Sequence, residues 1–173
     1  MAEGLLYQGK IELHVPTWLL RGVYRWMLTT DRFLHPTRIE EAEYPMRYRC
    51  RLTMPVWAGA ICRTIAESSR PGPVLMVQHE TSALDGGALI VTGHTDVNGV
   101  AIIQSEMQYR PMPDGGCRCT FEGRSLRPKH GVLLARAAQH VEKQIIDSQR
   151  HIERTARVCA TAALMALRLL ETR

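Results

Sequence analysis

The sequence predicts an α+β chain in which a curved antiparallel sheet of about six or seven strands wraps around one long C-terminal helix. Three observations predict it. Four runs of alternating residues follow one another between Val74 and Leu126, joined by glycine-rich turns. A single apolar stripe at helical spacing then runs on for about forty residues. Earlier, a short apolar segment from Pro55 to Ile65 separates the third strand from the fourth, where it reads as a helix or lid.

The first strand is Leu6 to His14. Val15-Pro16-Thr17 opens a helix, since proline is tolerated in a first turn, and Trp18, Leu19, Val23, Trp26 and Met27 give it one apolar face. Asp31 to Pro36 breaks it. Thr37 to Glu43 and Met46 to Thr53 form a hairpin turning at Tyr44-Pro45. In its second arm Tyr48, Cys50, Leu52 and Met54 alternate with Arg47, Arg49 and Arg51, as in a half-exposed strand. These arginines have Glu40, Glu41 and Glu43 as candidate partners across the hairpin.

The later strands are Val74 to Ser82, Ala88 to Val97, Val100 to Arg110 and Cys117 to Leu126. Asn98-Gly99 between two alternating runs is a strong short-range hairpin signal. The final helix spans about 128–171. Leu134, Ala138, Val141, Ile145, Ile152, Ala156, Cys159, Ala163, Leu167 and Leu170 form its stripe. At about 1.5 Å per residue it reaches roughly 60 Å, so part of it overhangs the sheet. Its end, Val158 to Leu170, is apolar nearly all round and is expected to cover a cavity mouth or to dock a partner.

Composition narrows the function classes. The 173 residues show no repeat, low-complexity tract or linker, which predicts one domain over residues 1–173. An apolar share of 45% and a charged share of 23% exclude wholesale disorder. Twenty-two Lys and Arg against 17 acids give a formal charge of +5, which favours an anionic partner. No basic run with interleaved aromatics marks a nucleic-acid site. No window approaches the roughly 18 apolar residues of a membrane span. The opening MAEGLLYQGKIEL has neither a signal-peptide core nor an Arg-rich presequence.

Chemistry-bearing motifs are absent. The sequence has no His-Glu-x-x-His, no phosphate-cradling Gly-x-x-x-x-Gly-Lys, no Gly-x-Gly-x-x-Gly and no Gly-x-Ser-x-Gly. The five cysteines lack zinc-ligand or disulfide-framework spacing, and Cys117 and Cys119 read as a small buried pair on one strand face. No cofactor is expected.

An antiparallel meander with one apolar face must cover that face, and only the final helix is long enough to do so. The candidate inward positions Gly93, Thr95, Ala101, Ser105, Gly123, Ala138 and Ala156 are small, and the chain has only two Phe. That pattern leaves two interiors open, an apolar cavity or a solid core. A cavity would be lined by Leu89, Val91, Val97, Ile103, Met107, Val141 and Ile145.

This order of elements resembles the helix-grip, START-like superfamily, whose members enclose lipids or other apolar ligands. Three stretches narrow the resemblance to the PRELI-like family of mitochondrial phospholipid carriers. They are Leu5-Leu6-Tyr7-Gln8 running to His14-Val15-Pro16-Thr17, then Arg51-Leu52-Thr53-Met54-Pro55-Val56-Trp57, and finally Val77-Gln78-His79-Glu80-Thr81-Ser82 with Gln108-Tyr109-Arg110-Pro111. The resemblance implies non-enzymatic transfer of an anionic phospholipid, such as phosphatidic acid or phosphatidylserine, at membrane surfaces. It also implies the mitochondrial intermembrane space and a small disulfide-stapled helical partner.

A phosphate head group needs converging cations, for which Arg25, Arg51, Lys129, Arg136 and Lys143 are the candidates. Met54, Pro55, Val56, Trp57 and Ile61 would form the lid and touch the membrane. Two rival functions remain. One is an enzyme on the same scaffold, using His79 or His94 with Glu106 deep in the cavity. The other is an interaction module with a solid core.

Overall fold

The computed structural model describes residues 4–30, 36–41, 45–51, 56–65, 76–127, 129 and 131–171, with side chains at most of these positions. The elements run β1 (Leu5–Leu13), α1 (Thr17–Thr30), β2 (Pro36–Glu41), β3 (Met46–Arg51), α2 (Val56–Ile65), β4 (Met76–Asp85), β5 (Ala88–Val97), β6 (Val100–Pro111), β7 (Cys117–Ser125) and α3 (Gly131–Glu171). The α+β architecture is the one the sequence predicts, with the short helix in its expected place between β3 and β4. One boundary moves for a clear reason. The turn after β4 needs only Gly86 and Gly87, both at positive φ, so Asp85 pairs with Ala88 and the strand runs three residues past Ser82. Asn98 and Gly99, at φ +51° and +85°, form the next two-residue turn.

The seven strands lie in the order β1-β7-β6-β5-β4-β3-β2, every neighbouring pair antiparallel. β2 to β7 form a meander, and β1 closes back against β7. α1 therefore carries the chain from one edge of the sheet to the other, across one face. α2 and α3 lie with it, α3 packing closest to β1, α1 and α2.

Alternation divides the sheet. Cross-strand rows such as Leu89–Tyr109–Cys119–Ile11 face the helices and are buried. The opposite rows carry Glu12, Arg118, Glu122 and Arg124 and face water, with ion pairs Arg118–Glu12 at 3.1 Å and Arg124–Glu122 at 3.0 Å. Such exposed pairs contribute little to stability. The proposed ladder across the first hairpin is only partly present. Arg47 stands opposite Glu41, but Arg49 stands opposite Arg38, because the register shifts between Pro36 and Arg38 and again between Ile39 and Glu41. Glu43 lies outside the described residues.

Near the β1 edge two glycines sit beneath aromatic rings. Gly123 is the register partner of Tyr7 and Gly9 that of Phe121, and a Cβ on either glycine would collide with the ring opposite. Each ring fills the space its partner leaves. Gly123 therefore does not leave open room in the interior, contrary to its small size in the sequence, because Tyr7 occupies it.

A buried carboxylate ties the helix to the corner that follows β1. Glu153 of α3 is 5% exposed and accepts the His14 amide at 2.9 Å. It also accepts Arg150 at 2.9 Å and Arg157 at 2.8 Å. Burial pushes its pKa up, but the His14 amide and the two guanidiniums more than offset this, and the net result lies below the ordinary carboxylate value. A depressed folded pKa contributes stability that is complete above the unfolded value and is lost as pH falls through the folded one.

Two outcomes follow. Gly123→Ala is expected to lower unfolding stability by about 1–3 kcal/mol through overpacking against Tyr7, read as a lower urea midpoint with unchanged m-value. Glu153→Gln is expected to cost about 2 kcal/mol at neutral pH. The gap between wild type and variant should close as pH falls below about 4, and a gap that persisted unchanged in acid would show that ionisation is not its origin.

Candidate ligand chamber

Three apolar rows line the interior between sheet and helices, and each shows the same break. On α3, Leu134 and Ala138 are buried at one end and Gln149, Ile152 and Ala156 at the other, while Val141 and Ile145 between them are only half-buried. On β6, Ile103 and Tyr109 are buried, while Ser105 and Met107 are half-buried. On β5, Leu89, Val91, Thr95 and Val97 are buried, while Gly93 is half-buried. Gly93 is the register partner of Ser105, and Val91 that of Met107, so the breaks on the two strands lie side by side. Residues facing a solid core would be buried throughout. This less-buried middle, at Gly93, Ser105, Met107, Val141 and Ile145, is the candidate chamber, with Met107, Val141 and Ile145 packed against the core at its border.

One end of this chamber is polar and fully paired. The Tyr109 hydroxyl donates to Gln149 Oε1 at 2.8 Å, and Gln149 Nε2 lies 3.7 Å from Met107 Sδ. These long side chains bridge β6 to α3. Cys119 lies beside Tyr109 and Cys117 near Glu153. Burial pushes Cys117 up to about 11, with the Glu153 charge adding to it. Burial and the neighbouring Cys117 push Cys119 up to about 12, although a hydrogen bond with Tyr109 opposes them. Both thiols stay protonated near neutrality, so neither is a ready nucleophile or metal ligand. The small buried pair expected from the sequence is what the fold contains. Among the described residues no three His, Cys, Asp or Glu side chains group as a metal site.

The predicted site residues scatter around this chamber. Of the seven lining candidates, Met107, Val141 and Ile145 border it, whereas Leu89, Val91, Val97 and Ile103 are packed into the core at its margins. Ile61 of α2 is half-buried against the core, and Trp57, four residues earlier, is 51% exposed. Met54 and Pro55 lie outside the described residues, as does the side chain of Val56. Of the head-group cations, those with described side chains are exposed. Arg136 and Lys143 are exposed, and the helical repeat puts both on the side of α3 opposite its buried stripe. Lys129 is exposed just ahead of α3. Arg51 stands in register with Val77 and through it with Asp96, a row on the water-facing side of the sheet, and the side chains of Arg51 and Arg25 are not described.

The acid–base set imagined for an enzyme also misses the interior. His94 is on the outer face, its side chain 46% exposed and 3.5 Å from Asp96, and the register sets His79 opposite it. Glu106 is on the same outer face, hydrogen-bonded to Gln108 and lining a shallow polar cleft of about 450 Å³ with Gln8, Lys10, Thr120 and Glu122. A period of two separates these residues from the chamber by the full thickness of the sheet. The residue that sequence reasoning passed over is Glu80. The register aligns it with Gly93 and, one strand further, with Ser105. Alternation along β4 pairs Glu80 with Gln78 and Ser82, but which row faces inward is visible only once β5 is set beside it.

Comparison with solved structures gives the fold. Over 87% of this chain and 92% of the other, the backbone matches the Zhui aromatase/cyclase from Streptomyces sp. R1128, with a TM-score of 0.53 at 11% identity. The fold is a helix grip. Proteins from Rhizobium loti and Deinococcus radiodurans align over 79% and 84% of this chain and 96% and 95% of their own. Their TM-scores are 0.45 and 0.40 at 10% and 14% identity. No protein-family profile and no curated protein sequence matches the chain. No helix among the described residues is long and apolar enough to cross a membrane.

In this helix grip the two strand thiols are sealed. Iodoacetamide applied to the native protein near neutral pH is expected to leave Cys117 and Cys119 unlabelled in peptide mass spectra, with labelling appearing only in denaturant.

Proposed function

We propose that the chain is a non-enzymatic carrier that takes a phospholipid from one membrane, shields its acyl chains in the chamber and releases it at another. The observation that carries this reading is the coincident break in burial at Gly93, Ser105, Met107, Val141 and Ile145. Those side chains are small or apolar. Enclosing a hydrocarbon tail among them stabilises the complex by about 0.8 kcal/mol per methylene removed from water. The α2 helix is the lid of this reading: Ile61 lies against the core while Trp57 meets solvent, so one short element spans both environments. The resemblance of the lid and strand motifs to PRELI-like carriers and the formal charge of +5 support an anionic cargo. The same resemblance supports action in the mitochondrial intermembrane space with a small disulfide-stapled helical partner.

An enzyme reading has one observation in its favour. Glu80 is in register with Gly93 and through it with Ser105, and a carboxylate at that level would be able to exchange a proton with a bound substrate if it met one. The solved structure with the same fold includes an aromatase/cyclase, and a cyclase would work on a hydrophobic chain held in the same place.

Native mass spectrometry with lipid analysis, before and after incubation with mixed liposomes, tests the carrier reading. One phospholipid per chain is expected, unchanged in structure after release. Ser105→Phe, which fills the chamber, is expected to reduce captured lipid about tenfold or more while leaving the circular dichroism spectrum intact. Chemical conversion of a captured molecule, abolished in Glu80→Gln, would replace the carrier with the enzyme. A folded protein that captures nothing would leave neither.

A further inference from the structure

The outer surface of α1 has a composition that neither the chamber nor the core explains. The helix packs inward through Leu20 and Val23, both buried. Trp18, on the side away from them, is 69% exposed and Trp26, on the flank, 49% exposed, with exposed Gly22 midway between the two, so the tryptophans do not share the single apolar face expected of them with Val23. Positions i, i+4 and i+8 lie within about a quarter-turn of one another on a helix. Arg21 lies at i+3 and the Arg25 position at i+7, within about 60° of Trp18 on the side away from Trp26. The fourteen residues Thr17 to Thr30 contain no Asp or Glu. A soluble helix exposing two tryptophans would ordinarily surround them with mixed charge. Here only cationic charge accompanies them.

The rest of the surface makes this face more distinctive. The described exposed large apolar residues lie on the helices or at Leu126 beside them, whereas the outer rows of β1, β6 and β7 carry Gln, Glu, Lys, Arg and Thr. Among the described residues, then, the outer rows of β1, β6 and β7 are hydrophilic, and the exposed large apolar side chains lie in or beside the helical layer.

We propose that the outer face of α1 is a docking surface for an anionic bilayer, with Trp18 and Trp26 seated among the lipid head groups and the helix's excess of arginine over acid drawing it to the phosphates. Indole favours the membrane–water interface, and each arginine near an anionic leaflet adds about 1 kcal/mol of attraction, or about fivefold in affinity. This face belongs to the helical layer, so docking brings that layer against the bilayer while the polar outer rows of the sheet stay in water. The inference rests on the carrier reading only in naming a membrane as the partner, and it assigns the contact to α1 rather than to the lid alone.

The chain has three tryptophans, so Trp57→Phe leaves Trp18 and Trp26 as the only indole reporters. With that variant, vesicles of phosphatidylcholine mixed with phosphatidylserine are expected to shift tryptophan emission to the blue, and brominated acyl chains to quench it. Phosphatidylcholine vesicles alone should do so much less, and added salt should reverse the effect. In vesicle flotation of the otherwise intact chain, the double substitution Trp18→Ala/Trp26→Ala is expected to weaken binding about tenfold or more. Arg21→Gln/Arg25→Gln should remove most of the preference for anionic vesicles. Unchanged emission on vesicles that the protein demonstrably binds would overturn the proposal, as would flotation of the tryptophan variant at the wild-type level. Analytical ultracentrifugation showing that Trp18 and Trp26 hold two copies of the chain together would overturn it in favour of a dimer. Capture of a short-chain soluble phospholipid, measured by native mass spectrometry without vesicles, separates the two readings. The tryptophan variant should capture it normally, and failure of wild type to do so would remove the carrier while leaving the docking face to be judged on flotation.

Discussion

The arrangement depends on the Glu153 carboxylate, which joins the corner where β1 turns into α1 to the middle of α3. A buried carboxylate that lost its partners would be expensive to retain, so the His14 amide, Arg150 and Arg157 hold α3 in one position relative to the β1 edge. α3 and the sheet meet closely at β1 and separate toward β5 and β6. Long side chains close the gap at one level, where Tyr109 reaches Gln149. At the next level Gly93 and Ser105 are too short to do so, and the chamber is what remains.

The same geometry explains why the interior is uneven and not loosely packed throughout. Near the clamp, aromatic rings compensate for glycines with matched volumes, Tyr7 over Gly123 and Phe121 over Gly9. Protein interiors are close-packed, so a half-buried break in three facing rows is an informative departure from that density. It lies between two well-packed ends, which gives the fold enough buried apolar area to hold the break open. α2 sits beside this region with Ile65 buried and Trp57 exposed, and few other elements hold it.

Much of the architecture was legible in the sequence because periodicity reports it directly. The alternation from Ala88 to Val97, the Asn98-Gly99 turn and the stripe from Leu134 to Cys159 each correspond to an element with nearly the same bounds. The site was less legible, for different reasons at different residues. Arg136 and Lys143 could have been set aside from the helical phase alone, since they lie half a turn from the stripe. Arg51 and Glu80 could not. Alternation says that neighbours face opposite sides, but it does not say which side meets the helix.

By itself, then, the sequence determined the order and type of the elements, the polar and apolar rows within each, and the excess of basic charge, because these depend on local period and composition. The tertiary structure alone decided which row faced inward, that Tyr7 would fill the space at Gly123, and that Val141, Ile145, Ser105 and Gly93 would meet across a gap. Those outcomes depend on strand register and on the angle at which α3 leaves β1, and register is a relation between segments far apart in the chain. A shift of one residue in that register would have exchanged the two faces of the sheet while leaving every local pattern unchanged.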